Sequence, residues 1–473
     1  MLLHSRHIRP AVSAAPQEQH LAAVLAAAAL SMFVVNLDFF ALNLSIPAMA
    51  DELEVSATEM QWVISGYMLS LAAFLIPGGR LGDILGRRRM LIVGIAIFGG
   101  ASAAGGAAPS AEVLIGFRIV QGIGAAILFP LCIAVVTNAF PEQRRKRAIG
   151  NLYGLAAVAT AVGPFFGGFV TDALGWRWVL WINVPIAAAA IGLAVVAVRE
   201  SRDQSVPRHI DLRGLLAVAA GIAAVTYAVD RAADWGLVSP DTLGLLAAGL
   251  ALLVVFVAVE KHVRWPLIDL SLFRNRPYVV VTLSGTVANI SFVVATFGST
   301  LYLQQVEGYS AAEAGLIFLA ASVATAFAGP LSGRLGERFD IPRLMAAGIV
   351  VGALGLAVIG SGAPLGLYLA ALPVFGFGYG LGWSLSSVGT QTVVPTEKAG
   401  AASGVTLAIV IGLGGLCVAL AATLIQSITA GGTGERAAIE DVLRVLALWS
   451  AACGIGFGVL SLLRPARAAS ARP

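Results

Sequence analysis

Apolar runs of about 20 residues alternate with short polar breaks along this chain. A run of about that length crosses the hydrocarbon core of a bilayer as an α-helix. The pattern predicts fourteen spans, near 21–48, 59–79, 90–108, 111–138, 147–171, 177–198, 213–231, 242–261, 277–304, 312–332, 343–361, 366–393, 400–429 and 441–463. The longest polar break, "RESRDQSVPRHIDL" at 199–212, cannot house a soluble domain. The fold class is therefore an all-α polytopic membrane protein. Composition points the same way: 58% of residues are hydrophobic and 12% charged, where soluble domains carry about a quarter. A water-soluble fold of this composition would lack polar residues to cover its surface.

The placement of charge orients the spans. With a cytoplasmic N-terminus, 25 of the 30 lysines and arginines fall in segments on the inner side. Three fall outside (Arg177, Arg231, Arg436), and Arg118 and Arg444 fall within spans. The positive-inside rule then places both termini in the cytoplasm, with an even number of spans. The first outer loop, "ADELEVSATE", carries four acids and no base. The first 20 residues lack an apolar core and do not read as a cleavable signal. Cys132, Cys417 and Cys453 sit in apolar runs without metal-ligand spacing, so no metal site is expected.

A repeat divides the chain. "GRLGDILGRRRML" has a counterpart in "GRLGERFDIPRLM", with Arg80 and Arg334 254 positions apart. The same offset relates Gly122 to Gly376, Gly124 to Gly378, Pro141 to Pro395 and Gly150 to Gly404. We expect a cytoplasmic tail at 1–20, six-helix bundles at 21–198 and 277–463, linkers with two extra helices at 199–276, and a tail at 464–473. Repeats of this kind place a substrate cavity between the halves, near the bilayer midplane.

These segments resemble the major facilitator superfamily, in particular its fourteen-helix drug:proton antiporter branch. "GGRLGDILGRRRML" resembles the family's loop between helices 2 and 3, "GFRIVQG" (116–122) its helix 4 motif, and "GPFFGG" (163–168) its helix 5 antiporter motif. "LDFFALNLSIP" (37–47), "WRWVLWINVP" (176–185) and "QQVEGYSAAEAG" (304–315) fit the same branch. Departures are Phe40, Ala159, Glu337 and Asp340. The resemblance implies two bundles related by a pseudo-two-fold axis plus two extra central helices. It also implies a monomer in the cell membrane that exchanges a small-molecule drug for protons, with the proton gradient as driving force and no cofactor. A narrow exporter of one endogenous metabolite or antibiotic is the alternative; a proton symporter for uptake fits the helix 5 motif less well.

Asp38 is the feature the apolar pattern does not explain. A carboxylate at the bilayer centre costs several kcal/mol, so it faces a wet cavity, pairs, or takes a proton. Counting from the outer helix ends puts Asp38 roughly 15 Å deep and Arg118 roughly 11 Å deep. We expect Asp38 to face the central hollow and alternate between proton and substrate, with Arg118 tuning it. Asp38→Asn is expected to leave folding intact and abolish proton drive. Gly79, Gly82, Asp83, Gly86, Arg87 and Arg88 form the candidate cytoplasmic gate. Gly163, Pro164, Gly167 and Gly168 form a bent, close-packed helix 5. Candidate substrate contacts are Asn36, Phe39, Asn43, Tyr67, Gln121, Phe129, Phe297, Tyr302, Phe375, Tyr379 and Trp383, whose rings suit apolar or cationic ligands. A P-loop, an HExxH and a GxSxG triad are absent, so neither ATP drive nor an enzyme is expected. The basic inner segments alternate with spans, which topology explains better than nucleic-acid binding.

Overall fold

The computed structural model describes residues 21–42, 45–55, 57–60, 62–202, 211–236, 238–263, 266, 268, 270–395 and 399–462. The predicted tails and Asn43 lie outside the described residues. The first half contains α1 (Leu21–Leu42), α2 (Ile46–Glu52), α3 (Ala57–Met60), α4 (Trp62–Leu85), α5 (Arg87–Gly106), α6 (Ala111–Ala139), α7 (Glu142–Leu174), α8 (Trp176–Trp181) and α9 (Asn183–Ala197). The extra pair is α10 (Leu212–Trp235) and α11 (Pro240–His262). The second half contains α12 (Arg276–Leu301), α13 (Ala311–Arg338), α14 (Ile341–Ile359), α15 (Leu365–Val393), α16 (Ala399–Ala430) and α17 (Glu435–Leu462).

Twelve helical stretches among the described residues are long and apolar enough to cross a membrane, with α8 and α9 together making one. The chain is a multi-pass membrane protein. Two of the fourteen predicted spans fall short of that standard. Helix α7 opens on the charged run "EQRRKR" and turns by 45° between Glu142–Thr160 and Phe165–Leu174; it makes a thirteenth span if its two arms count as one. In α10 the apolar stretch among the described residues is Arg213–Val229, shorter than a full span. Of the predicted first span, 21–48, the structure describes α1 to Leu42 and, from Ile46, the start of α2, with Pro47 near its head.

The repeat in sequence is a repeat in packing. On α6, a Cβ at Gly124 would lie 2.7 Å from the Phe98 nitrogen and 3.0 Å from the Gly94 carbonyl oxygen. On α15, a Cβ at Gly378 would lie 2.2 Å from the Gly352 nitrogen and 2.6 Å from the Gly348 oxygen. Each partner of Gly378 is the partner of Gly124 shifted by 254. Only glycine lets these helix backbones touch, so the matching glycines set matching crossings.

The same symmetry governs the seams between the halves. On α7, Gly150 and Gly154 lie against the backbone of Gly329, Gly333 and Ala326 on α13. The equivalent crossing, Gly404 on α16 beside Gly79 on α4, is looser. Arg147 pairs with Glu337 at 2.8 Å, and Lys146 Nζ donates to the Gly336 carbonyl at 3.0 Å. In this conformation the halves therefore meet at the end that carries the two arginine-rich loops.

Helices α10 and α11 pack tightly on each other through Gly221 and Gly249. The hairpin then bridges both halves. Val218 and Phe256 share an apolar cluster with Ile76 of α4 and with Val405 and Ile409 of α16. At the other end of α10, Arg231 lies over the Trp62 ring of α4, 4.6 Å from its centroid.

Candidate functional site

Asp38 is not a lone acid. Its Oδ2 accepts from Arg118 Nη1 at 2.6 Å, and both side chains have no exposed surface. Gln121 sits one turn along α6 from Arg118. Its Oε1 accepts from Arg118 Nη1 at 2.6 Å and its Nε2 donates to Asp38 Oδ1 at 3.1 Å. Asn183, at the head of α9, donates Nδ2–H to Asp38 Oδ1 at 2.7 Å and to Ser102 Oγ of α5 at 2.9 Å. Ser102 in turn donates to the Leu180 carbonyl at 2.8 Å. Arg118 Nε donates to the Val63 carbonyl at 3.0 Å, and its guanidinium lies 4.3 Å from the centroid of the Tyr67 ring. Phe39 stacks on the other side of the site, 6.1 Å from Tyr67.

The expectation that Asp38 faces a central hollow is corrected here: the carboxylate is sealed between α1, α4, α5, α6 and α9. Neutralisation by Arg118 and hydrogen bonds from the two amides, Gln121 and Asn183, satisfy the carboxylate without water. Burial of a charge is tolerated when it is paired and hydrogen-bonded, and is costly otherwise. Arg118 Nη2, the Tyr67 hydroxyl and Asn183 Oδ1 are buried without a hydrogen-bond partner among the described residues.

The loop between α4 and α5 is built with equal economy. Gly86 adopts φ +113°, a region that favours glycine, and a Cβ there would lie 2.6 Å from the Glu200 carboxylate. That carboxylate caps the free amides at the head of α5, accepting from Arg88 N at 3.1 Å and Arg89 N at 3.2 Å. In return Arg88 Nη2 donates to the Val195 carbonyl at 2.6 Å, near the end of α9. Asp83 pairs with Arg87 at 2.8 Å, one turn on. A Cβ at Gly82 would collide with Leu131 of α6, and Gly79 lies against Pro130. The predicted gate residues are thus brought together, and among the described residues the contacts of Arg87 and Arg88 run to the first half and to Glu200 and Ser201 just beyond α9. The charged contact across the halves comes from the next loop, as Arg147 to Glu337.

A family model described as Major Facilitator Superfamily matches residues 28–419. The chain belongs to the Major Facilitator Superfamily. It is 33% identical over 388 residues to the "Multidrug resistance protein Stp" of Mycobacterium tuberculosis, covering 80% of this chain and 71% of that protein. It is 30% identical to the "Tetracenomycin C resistance and export protein" of Streptomyces glaucescens, with coverages of 80% and 71%. Among solved structures, the human organic anion transporter MFSD10 superposes with a TM-score of 0.62 at 14% identity, over 93% of this chain and all of that one. That last likeness concerns the fold alone.

Within this superfamily fold, the helix 5 glycines have a specific seat. A Cβ at Gly163 would lie 2.7 Å from the Phe40 Cβ, and one at Gly167 would overlap the backbone of Ala41. The C-terminal arm of α7 therefore rests on α1, two to three residues from Asp38. Gly168 is half-buried beside it, and the side chain of Pro164 lies outside the described residues. The other arm of α7 carries the Gly150–Gly154 seam with α13. One bent helix joins the proton candidate to the contact between halves.

The aromatic candidates divide. Trp383 lines a small cleft between the halves, with Ala157 and Thr160 of α7, Phe292 of α12, and Ser322 and Thr325 of α13. Asp38 does not line it. The other rings are corrected to packing roles in this conformation. Phe129 is buried in an apolar cluster drawn from both halves, and Phe375 stacks on Phe292 at 5.4 Å. The Tyr379 hydroxyl bonds Ser450 at 2.6 Å, and Phe297 packs against the second-half core. Tyr302 stacks on Tyr368 at 6.1 Å beneath Arg436. Asn36 donates its amide to the Met32 carbonyl of its own helix at 2.7 Å. The sequence reading missed Asn183, Ser102, Glu200 and the hydroxyl residues of the cleft. Asn183 left a trace: it is the one polar side chain in "WINVP".

Proposed function

We propose that this chain is a monomeric, fourteen-span, proton-coupled exporter of drugs or hydrophobic small molecules that works by alternating access, with both termini in the cytoplasm. The names of its relatives support export: multidrug resistance in one case and tetracenomycin C resistance and export in another. The side-specific arginines support the orientation. The observation that carries proton coupling is the sealed Asp38–Arg118 pair beside the seat of α7.

An ionised Asp38 balances Arg118 in a dry site, where the pair holds α1 to α6. A proton on Asp38 removes that balance and leaves a buried guanidinium in need of water or a new partner, a change worth several kcal/mol in such surroundings. Rocking of α7 over α1 supplies the opening that lets the proton and water in. The same motion loosens Gly150 and Gly154 from α13 at the far end of α7. Proton exchange at Asp38 and separation of the halves are then two ends of one lever.

The test is transport in inverted membrane vesicles under an imposed pH gradient, with a cationic planar dye and a neutral polycyclic quinone as probes. Accumulation that collapses with the gradient and vanishes in Asp38→Asn supports antiport. Gradient-dependent accumulation that persists in Asp38→Asn would remove Asp38 from the mechanism.

A further inference from the structure

Asp38 takes a proton only if its new O–H finds an acceptor. Around the carboxylate the structure offers donors: Arg118 Nη1 on Oδ2, and Gln121 Nε2 and Asn183 Nδ2 on Oδ1. The short Arg118 contact reserves Oδ2, so the proton belongs on Oδ1. One of the two amides must then present its oxygen. Gln121 is committed, because its Oε1 holds Arg118 Nη1 at 2.6 Å. A turned Gln121 would point an NH₂ at a guanidinium. Asn183 is different: its Oδ1 is buried with no hydrogen-bond partner among the described residues.

The orientation of the Asn183 amide follows from its neighbours. Ser102 donates its only hydroxyl hydrogen to the Leu180 carbonyl, so it accepts from Asn183. The carboxylate also needs a donor. Both demands place Nδ2 where it is.

We propose that Asn183 is a positioning residue for proton exchange, its amide turning over when Asp38 is protonated. In the ionised state Nδ2–H donates to Oδ1. In the protonated state a half-turn about Cβ–Cγ brings the unused Oδ1 to accept the Asp38 O–H. No covalent bond other than the Asp38 O–H changes, and the proton arrives from solvent. The turn also breaks the Asn183–Ser102 bond, so protonation on α1 is felt at α5 and, through Ser102 and Leu180, at α8. The titratable groups that face Asp38 are Arg118 from α6 and the Tyr67 phenol from α4. No ion pair or hydrogen bond to Asp38 from a titratable group of α5, α7, α8 or α9 is present among the described residues.

This inference rests on the proton-coupling reading, and the two fail differently. The experiment is a pH titration of the protonated-carboxyl infrared band of the full-length protein in lipid. Wild type, Asp38→Asn, Asn183→Leu and Ser102→Ala are compared, with drug/proton exchange measured on the same samples. Asp38→Asn assigns the band. A hydrogen bond to a charged group is worth more than one to its neutral form, so Asn183→Leu removes more from the ionised state. We expect its midpoint to move up by about 0.5–1 pH unit, with the band at higher frequency because the O–H has lost its acceptor. Ser102→Ala, which removes the group that orients the amide, moves it the same way by less and keeps the proposal testable should the leucine variant misfold. An unchanged midpoint and frequency in both variants, with the band assigned to Asp38, overturns the role of Asn183 alone. A band that does not titrate, or exchange untouched by Asp38→Asn, overturns the proton-coupling reading beneath it.

Discussion

Gly150 on α7 and Gly329 on α13 face each other across the seam between the two bundles: a Cβ on either would lie within 2.7 Å of the other's carbonyl oxygen. No side chain fits there while the halves are closed at this end. Overpacking a tight contact costs about 1–3 kcal/mol, roughly 5- to 150-fold in the closed-to-open ratio. We predict that Gly150→Leu leaves each half folded but shifts the population toward an open arginine-loop end. Distances between spin labels placed on α7 and α13 measure this directly. Export should fall by about tenfold or more. A distance distribution identical to that of the parent protein contradicts the prediction.

The Asp38–Arg118 pair changes what Asp38→Asn is expected to do. Removing one member of a buried pair costs about 3–5 kcal/mol, because the other charge stays behind unbalanced. Asp38→Asn should therefore lower thermal stability as well as abolish proton drive. In Asp38→Asn/Arg118→Gln both charges are gone, and stability should recover by most of that loss. Transport should not recover. Melting curves of the two singles and the double separate structure from coupling; additive losses of stability would show that the pair is not energetically linked.

Much of this was legible in the sequence, for reasons that can be named. The apolar runs and the 254-residue offset are written in one dimension, because a spanning helix satisfies its own backbone; of the fourteen runs, twelve reappear among the described residues as helices long and apolar enough to cross a membrane. Asp38 and Arg118 stood out because charge is costly inside a bilayer. What failed to show was how aromatic side chains divide between ligand contact and packing. Phe129, Phe375 and Tyr379 read like ligand contacts, since an aromatic ring facing a cavity and one facing a helix have the same local sequence. Asn183 and Glu200 act on residues 145 and more than 110 positions away, at Asp38 and at Arg88 and Arg89. No short-range pattern encodes such pairings.

Glu200 makes a separate prediction. Its carboxylate caps α5 through the amides of Arg88 and Arg89. Loss of a cap costs about 0.5–2 kcal/mol. Glu200→Ala should fray the head of α5, seen as faster hydrogen exchange at residues 87–90. Gly86→Ala meets two penalties, the φ of +113° and the collision with Glu200. In the double variant the collision disappears, and the backbone strain, about 1–3 kcal/mol, remains beside the lost cap. The double should thus be more stable than the sum of the singles predicts. Strict additivity would mean that the two residues do not touch in the membrane.

The cleft between the halves yields the last prediction. Its walls are rings and hydroxyls: Phe292 and Trp383 with Thr160, Ser322 and Thr325, and no charged residue. Trp383 is held by an edge contact to Tyr153, 5.2 Å between centroids, and Tyr153 is fixed by its 2.5 Å hydrogen bond to Ser387. At about 10 Å³ the cleft has room for about one water in this conformation, so a planar aromatic ligand enters only as the halves part; a rigid ring beside hydroxyls then suits it, and stacking adds about 0.5–1.5 kcal/mol beyond area burial. Trp383→Ala should weaken binding of a fluorescent planar aromatic by roughly 2- to 10-fold, and Trp383→Phe by less. Because the walls carry no charge, a neutral ligand and its cationic analogue should lose affinity by similar factors. Titration of both ligands against the two variants in lipid measures this. A loss confined to the cation would show that Trp383 acts by cation–π attraction, and no loss for either would place the ligand elsewhere.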